Sequence, residues 1–191
     1  MIFTSDNKGY SLVELIVVIS IITIMTGVLS TGISIMFSKD AEGAAILIDD
    51  ELTKARMLSM SSPGEFTITI HCDKDGNIDS SKSDYNYIEI NNDIASGETG
   101  HFSERVYFDT RAYIGAYIYD PSSAEPDYTS RGASEDIEIK FKKSNGSVIE
   151  FNGTSILEAK IVKFKCQAVR NQNKISYVDV YTISGRHGLE K

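Results

Sequence analysis

The run from Leu15 to Ser38 (LIVVISIITIMTGVLSTGISIMFS) contains no charged residue, and it constrains this chain more than any other feature. As a helix rising 1.5 Å per residue, these positions would extend about 36 Å, enough to cross a hydrocarbon layer of about 30 Å. Buried helices of soluble proteins seldom run so far without a charge, so the segment reads as one transmembrane helix. A cleaved secretory signal is the rival. Such signals have a shorter apolar stretch that ends in small residues of the Ala-x-Ala kind. Here the stretch ends in Met36-Phe37-Ser38-Lys39-Asp40, with no lipid-accepting cysteine after it, and it is expected to stay in the product.

Composition narrows the function classes. With 19 Lys and Arg against 27 Asp and Glu, the 191-residue chain has a formal charge of −8. Phosphate binding needs clustered cations, so this balance argues against a general nucleic-acid coat. Cys72 and Cys166 stand singly, which excludes four-cysteine and Cys2His2 zinc sites. His71, His101 and His187 are scattered, and no Gly-x-Ser-x-Gly, P-loop or His-Glu-x-x-His occurs. No catalytic residue, metal site or cofactor is expected, and the chain reads as a non-enzyme.

The segment before the apolar run carries a specific pattern. A nine-residue leader, MIFTSDNKG, is followed by Tyr10-Ser11-Leu12-Val13-Glu14-Leu15. A carboxylate at the edge of a bilayer core costs on the order of 2–3 kcal/mol on insertion scales, which points to a function or a partner for Glu14. The plainer alternative is an interfacial Glu at a helix N-terminus, favoured by the dipole. Lys8 through Leu15 resembles the class III signal of type IV pilins and type II secretion pseudopilins. Five features coincide in register: the Gly, an aromatic residue, Ser-Leu, the Glu, and the unbroken apolar helix. Tyr10 stands where that family most often has Phe.

The resemblance implies that a prepilin peptidase cuts between Gly9 and Tyr10 and methylates the new amine of Tyr10. Glu14 would then be an assembly residue, offering its carboxylate to the amine of a neighbouring subunit. Such a pair offsets part of the cost of burying both charges and fixes axial register, as buried polar groups do elsewhere. The implied partners are the peptidase, other pilin or pseudopilin subunits, an inner-membrane assembly platform, and membrane lipid before assembly. Lys8 and the N-terminal amine agree with a cytoplasmic N-terminus and an extracytoplasmic C-terminal domain.

Beyond Lys39-Asp40 the pattern becomes amphipathic. Ala41, Ala44, Ala45, Ile48, Leu52 and Ala55 recur at three- and four-residue steps, with Asp49, Asp50, Glu51, Lys54 and Arg56 on other faces. Ser61-Ser62-Pro63-Gly64 ends the segment, so a single helix is expected from about Ser11 to Ser61, with Gly27, Gly32 and Gly43 as places where it can bend. From Phe66 onward the period changes to two. Phe66–Cys72, Tyr85–Asn91, Arg105–Phe108, Ile114–Tyr119, Ile137–Phe141, Ser147–Phe151, Ala159–Val169 and Ser176–Ile183 read as strands, and 92–104 and 120–135 as surface loops.

The expected fold is α+β, a long N-terminal helix laid against antiparallel sheets and pilin-like. Its parts are the leader 1–9, the transmembrane and filament-core helix 10–38, the amphipathic continuation 39–62, and a β-rich extracytoplasmic domain 63–191. Leu52-Thr53-Lys54-Ala55-Arg56 and the close Ser184-Gly185-Arg186 further resemble the H-type minor pseudopilins, the GspH/FimT group.

Three other features invite chemistry. Asp73-Lys74-Asp75-Gly76-Asn77-Ile78-Asp79 alternates carboxylates, but Gly76 falls at position 4 and Asp84 at position 12, which does not fit an EF-hand; a hairpin turn is expected. Cys72 and Cys166 share the apolar parity of their strands, and they form either a disulfide in an extracytoplasmic domain or two buried free thiols. Lys140, Lys142, Lys163 and Lys165 alternate on outer strand faces, and form either an anion-binding face or a solvated face that blocks aggregation.

The leading reading is a minor pilin or pseudopilin for a type IV pilus, a type II secretion-like pseudopilus or a competence machine, acting in secretion, adhesion or DNA uptake. Two others stand beside it: a pilin-like receptor that holds DNA or another ligand on the basic face, and a single-pass membrane-anchored sensor domain.

Overall fold

The computed structural model describes residues 12–62, 64–72, 86–93, 102–120, 136–156 and 159–190, with the side chains of 28–38 and 93 outside that description. The chain divides into two compact units, Met1–Met36 and Phe37–Lys191. Helix α1, Leu12–Ser61, belongs to both and continues through Gly27, Gly32 and Gly43 without a break. Its last turn closes with Ser62 N–H donating to Leu58 O at 2.9 Å. Gly64 then takes a φ of 100°, which turns the chain out of the helix.

In the second unit, the expected helical stripe is buried. Ala41, Ala44, Ala45, Ile48, Leu52 and Ala55 are each at most 1% exposed. Alanine at four of these six places lets the strands come close to the helix axis, while Ile48 and Leu52 fill the space between. Gly43 has a related use: a Cβ there would lie 2.9 Å from Thr110 Cγ2.

Among the described residues ten strands follow: β1 Glu65–His71, β2 Tyr87–Asp93, β3 Ser103–Tyr107, β4 Ala112–Tyr119, β5 Ile137–Phe141, β6 Val148–Phe151, β7 Thr154–Ser155, β8 Ile161–Ala168, β9 Ile175–Tyr181 and β10 Arg186–Leu189. They form two antiparallel sheets, β3-β2-β1-β5-β6-β7 and β10-β9-β8-β4. Register sets the apolar rows. In the larger sheet Ile68 lies opposite Ile90 and Ile139, and Ile70 opposite Ile88 and Ile137. In the smaller one Phe164 lies between Ala116 and Val178. The inner residues of both sheets and the buried stripe of α1 make one core. The fold is therefore α+β, an N-terminal helix packed on antiparallel sheets.

Polar contacts join these layers where apolar packing alone would let them slide. Buried Asn86 donates from Nδ2 to Ala112 O at 2.8 Å, joining the start of β2 to the start of β4. Thr182, also buried, donates from Oγ1 to Lys160 O and accepts from Lys160 N, both at 2.9 Å. From α1, Asp49 accepts from His187 Nδ1 of β10 at 2.7 Å, and Lys54 pairs with Glu104 of β3. Buried polar groups must be satisfied, so the contacts of Asn86 and Thr182 also exclude alternative packings.

Two strands were not expected. β7 follows Asn152 and Gly153, whose φ values of 49° and 74° make the two-residue turn that suits a hairpin. Asn-Gly between Phe151 and Thr154 was the signal for it. β10 reverses at Gly185, in a Ser-Gly-Arg stretch that reads as a tail. The turn expected at 73–79 and positions 94–101 and 121–135 of the expected loops lie outside the described residues.

Gly185 has a φ of 61°, and a Cβ there would meet Gly146 O at 1.7 Å. Gly153 has a φ of 74° but open space around it. Gly153→Ala is expected to cost about 1 kcal/mol from backbone strain alone, and Gly185→Ala about 3 kcal/mol or more. Urea midpoints of the two variants check this; equal losses would remove the role given to the close approach.

Candidate functional site

The described part of the N-terminal segment is apolar on every side. From Leu12 to Met25 its large hydrophobic residues are 46–74% exposed, and at 100° per residue they occupy the whole circumference of α1. Its hydroxyls are turned back onto the backbone. Ser20, Thr23 and Thr26 donate to the carbonyls of Ile16, Ile19 and Ile22 at 2.7, 2.7 and 2.9 Å. A helix apolar all round needs apolar surroundings, and internal satisfaction of hydroxyls is what a medium without water demands. Among the described residues no helix is long and apolar enough to cross a membrane; side chains 28–38, the second part of the expected span, lie outside the description. Glu14 sits in the first turn of α1 and is exposed, at the end where a carboxylate favours the dipole. Gly9 and Tyr10 lie outside the described residues.

The family described as "Prokaryotic N-terminal methylation motif" matches residues 4–30, which include Gly9, Tyr10 and Glu14. No curated protein matches the sequence. Among solved structures, the crystal structure of the type IV minor pilin FimU from Pseudomonas aeruginosa is similar, with 18% identity over 80% of this chain and 90% of that one and a TM-score of 0.47.

The four lysines expected on one basic face are divided between the sheets. Lys140 is on β5 and Lys142 just after it, whereas Lys163 and Lys165 are on β8 of the other sheet. Alternation placed each on an outer face correctly, but it could not say which strands are neighbours. Two of the charges are also engaged. Lys140 pairs with Glu65 at 3.2 Å, and Lys163 with Glu190 at 3.0 Å and Asp179 at 3.2 Å. The rings of Tyr119 and Tyr177 stand 5.8 and 5.7 Å from the Lys163 ammonium. Burial disfavours the charge on Lys163, but its bonds to Glu190 and Asp179 outweigh this and raise its pKa. Lys140 and Lys142 thus lie with the larger sheet, and Lys163 and Lys165 with the smaller.

The histidines gain partners that spacing did not reveal. His71 has Asp136 2.8 Å from Nδ1 and Glu89 3.6 Å from Nε2, and stacks on Tyr87 at 4.1 Å. His187 meets Asp49, as above. With carboxylates at both nitrogens of His71, that ring joins strands of the larger sheet. No group of three metal-ligating side chains converges among the described residues. The Asp73–Asp79 stretch lies outside them.

Both cysteines are free thiols here, Cys166 buried and Cys72 partly buried. Cys72 continues the inward parity of β1 just past its end, and Cys166 is fully buried within β8 on the other sheet. Burial, and secondarily Asp136, pushes the Cys72 thiol up to about 12. Burial, with a smaller effect of Cys72, raises Cys166 as well.

An unfolded thiol ionises near 8.5, so between about pH 8.5 and 12 the unfolded chain releases protons that the folded chain keeps. The contribution is full below the lower value and is lost as pH rises through the window. Urea midpoints should therefore fall from pH 8 to pH 10.5, less steeply in Cys72→Ala than in the parent. Neither thiol should react with a maleimide at pH 8 until the chain unfolds. Fast labelling of both in the folded chain would overturn the buried-thiol account.

Proposed function

We propose that this chain is a minor pilin or pseudopilin, a structural subunit rather than an enzyme. It is held in the inner membrane by α1 until processed, and then packed into a type IV pilus or type II secretion-like pseudopilus. One observation carries this reading. The methylation motif at 4–30 is in register with a helix whose described face is apolar all round. In the proposed topology the N-terminus is cytoplasmic and the β-domain extracytoplasmic. A prepilin peptidase cuts after Gly9 and methylates Tyr10. The Tyr10 ammonium then lies one helical turn from Glu14, so each subunit has a carboxylate to offer to the amine of the next. In hydrocarbon surroundings both charges are costly alone, and pairing between subunits offsets part of that cost.

The H-type identity proposed here is supported by Leu52-Thr53-Lys54-Ala55-Arg56 and by the Gly185-Arg186 close. In this architecture, the same helix serves two cores. Its first part is held by lipid and later by neighbouring helices, and its second part by the sheets.

Intact mass of the membrane-extracted chain tests the reading, with and without a co-expressed prepilin peptidase. Loss of Met1–Gly9 plus the gain of one methyl group is expected only in the presence of the peptidase. An intact N-terminus in both samples would return the chain to the class of membrane-anchored sensor domains. In Glu14→Leu, cleavage should persist while incorporation into filaments falls.

A further inference from the structure

Three segments distant in sequence meet at one end of the β-domain. These are the last turns of α1, the turn between β5 and β6, and the turn between β9 and β10. Gly146 and Gly185 bring them together. A Cβ on Gly146 would lie 2.8 Å from Arg56 Cγ and 3.3 Å from Met60 Cγ, and one on Gly185 would meet the Gly146 carbonyl. Val148 N–H donates to Thr182 O at 2.8 Å, and Gly146 N–H donates to Lys142 O at 3.0 Å.

This convergence collects Arg56, Lys142, Lys143 and Arg186, none of which has an ion-pair partner among the described residues. The Arg56 Nε is buried and has no acceptor among the described residues. In the same helix turns and β9–β10 turn, Met57, Met60 and Ile183 are 55%, 45% and 64% exposed. Glu65, at the start of β1, is committed to Lys140 at 3.2 Å. The charge separation is large: the chain totals −8, so without these four cations the remainder carries −12.

We propose that this end of the β-domain is a docking surface for an acidic segment of a partner protein that also carries apolar side chains. The observations favour such a segment over other polyanions. A half-buried guanidinium is best matched by a carboxylate in bidentate geometry, and exposed methionines adapt to varied apolar side chains. Nucleic acid would satisfy the cations and leave Met57, Met60 and Ile183 uncovered. Several of the described carboxylates of this chain already have cationic partners within it. Glu51 and Glu104 face Lys54, Glu89 faces Arg105, Asp49 faces His187, and Asp179 and Glu190 face Lys163. The proposal stands on the β-domain and does not depend on leader processing.

The test uses the full chain in neutral detergent and two fluorescent peptides, one of Glu with Leu at helical three- and four-residue spacing and one of Glu alone. The Glu/Leu peptide should bind more tightly, and more weakly as salt rises. The variant Lys142→Glu/Lys143→Glu/Arg186→Glu should weaken it by roughly tenfold or more, whereas Lys165→Glu should not. Met57→Ser/Met60→Ser/Ile183→Ser should weaken the Glu/Leu peptide and leave the all-Glu peptide unchanged. Circular dichroism melts verify folding, with Lys142→Glu alone as the milder variant.

Three results would overturn the proposal. One is equal binding by the charge-reversed variant. Another is binding of duplex DNA or anionic vesicles at this surface as tight as that of the Glu/Leu peptide. The third is self-association of the chain that the same charge reversals abolish, which would give the surface to a second copy.

Discussion

The fold depends on one buried stripe, the alanine, isoleucine and leucine residues from Ala41 to Ala55 on α1. Residues of both sheets share one core with this stripe. Small residues at most positions let the sheets approach, and Ile48 and Leu52 are fully buried in the space that remains. Burying one such side chain contributes on the order of 1.5–3 kcal/mol, so these two anchor the helix in the core. The β-branched rows of β1, β2 and β5 then follow from a two-residue alternation that points Ile68, Ile70, Ile88, Ile90, Ile137 and Ile139 the same way.

Apolar packing is not directional, and the polar contacts around the core supply the direction. Asn86 fixes one sheet against the other, His187 fixes the terminal hairpin on α1, and Thr182 closes the connection into β8. Each leaves a buried donor or acceptor unsatisfied if the layers shift, which is why these few residues choose one arrangement among several that would bury equal area. The helix beyond the core obeys the opposite logic. There the described apolar side chains face outward and the hydroxyls donate to the backbone, as a medium without water favours.

Much of this was legible in the sequence because it rests on period and composition. The change from three- and four-residue steps to alternation after Ser61 located the boundary between α1 and β1 to within a few residues. The positions expected to be buried on α1 are buried, since a helix face is determined by spacing alone. The Lys8–Leu15 pattern was equally direct, being a contiguous signal. Less visible were β7 and β10, which are short and lean on turns with positive φ at Asn152, Gly153 and Gly185. The partners of His71 and His187 were hidden for another reason. Asp136 and Asp49 are far away in sequence, and no local rule pairs them.

The basic residues show the division most clearly. Alternation put Lys140 and Lys163 on outer faces, and that held; it could not place them on different sheets, nor bring Arg56 and Arg186 beside Lys142 and Lys143. The sequence by itself determined which segments are helix or strand, which faces are apolar, and where the N-terminal motif stands, because each depends on neighbours a few residues apart. Tertiary structure alone decided which strands are adjacent, which charges are neutralised and which remain unpaired at one end, because those depend on contacts between residues that chain connectivity does not bring together.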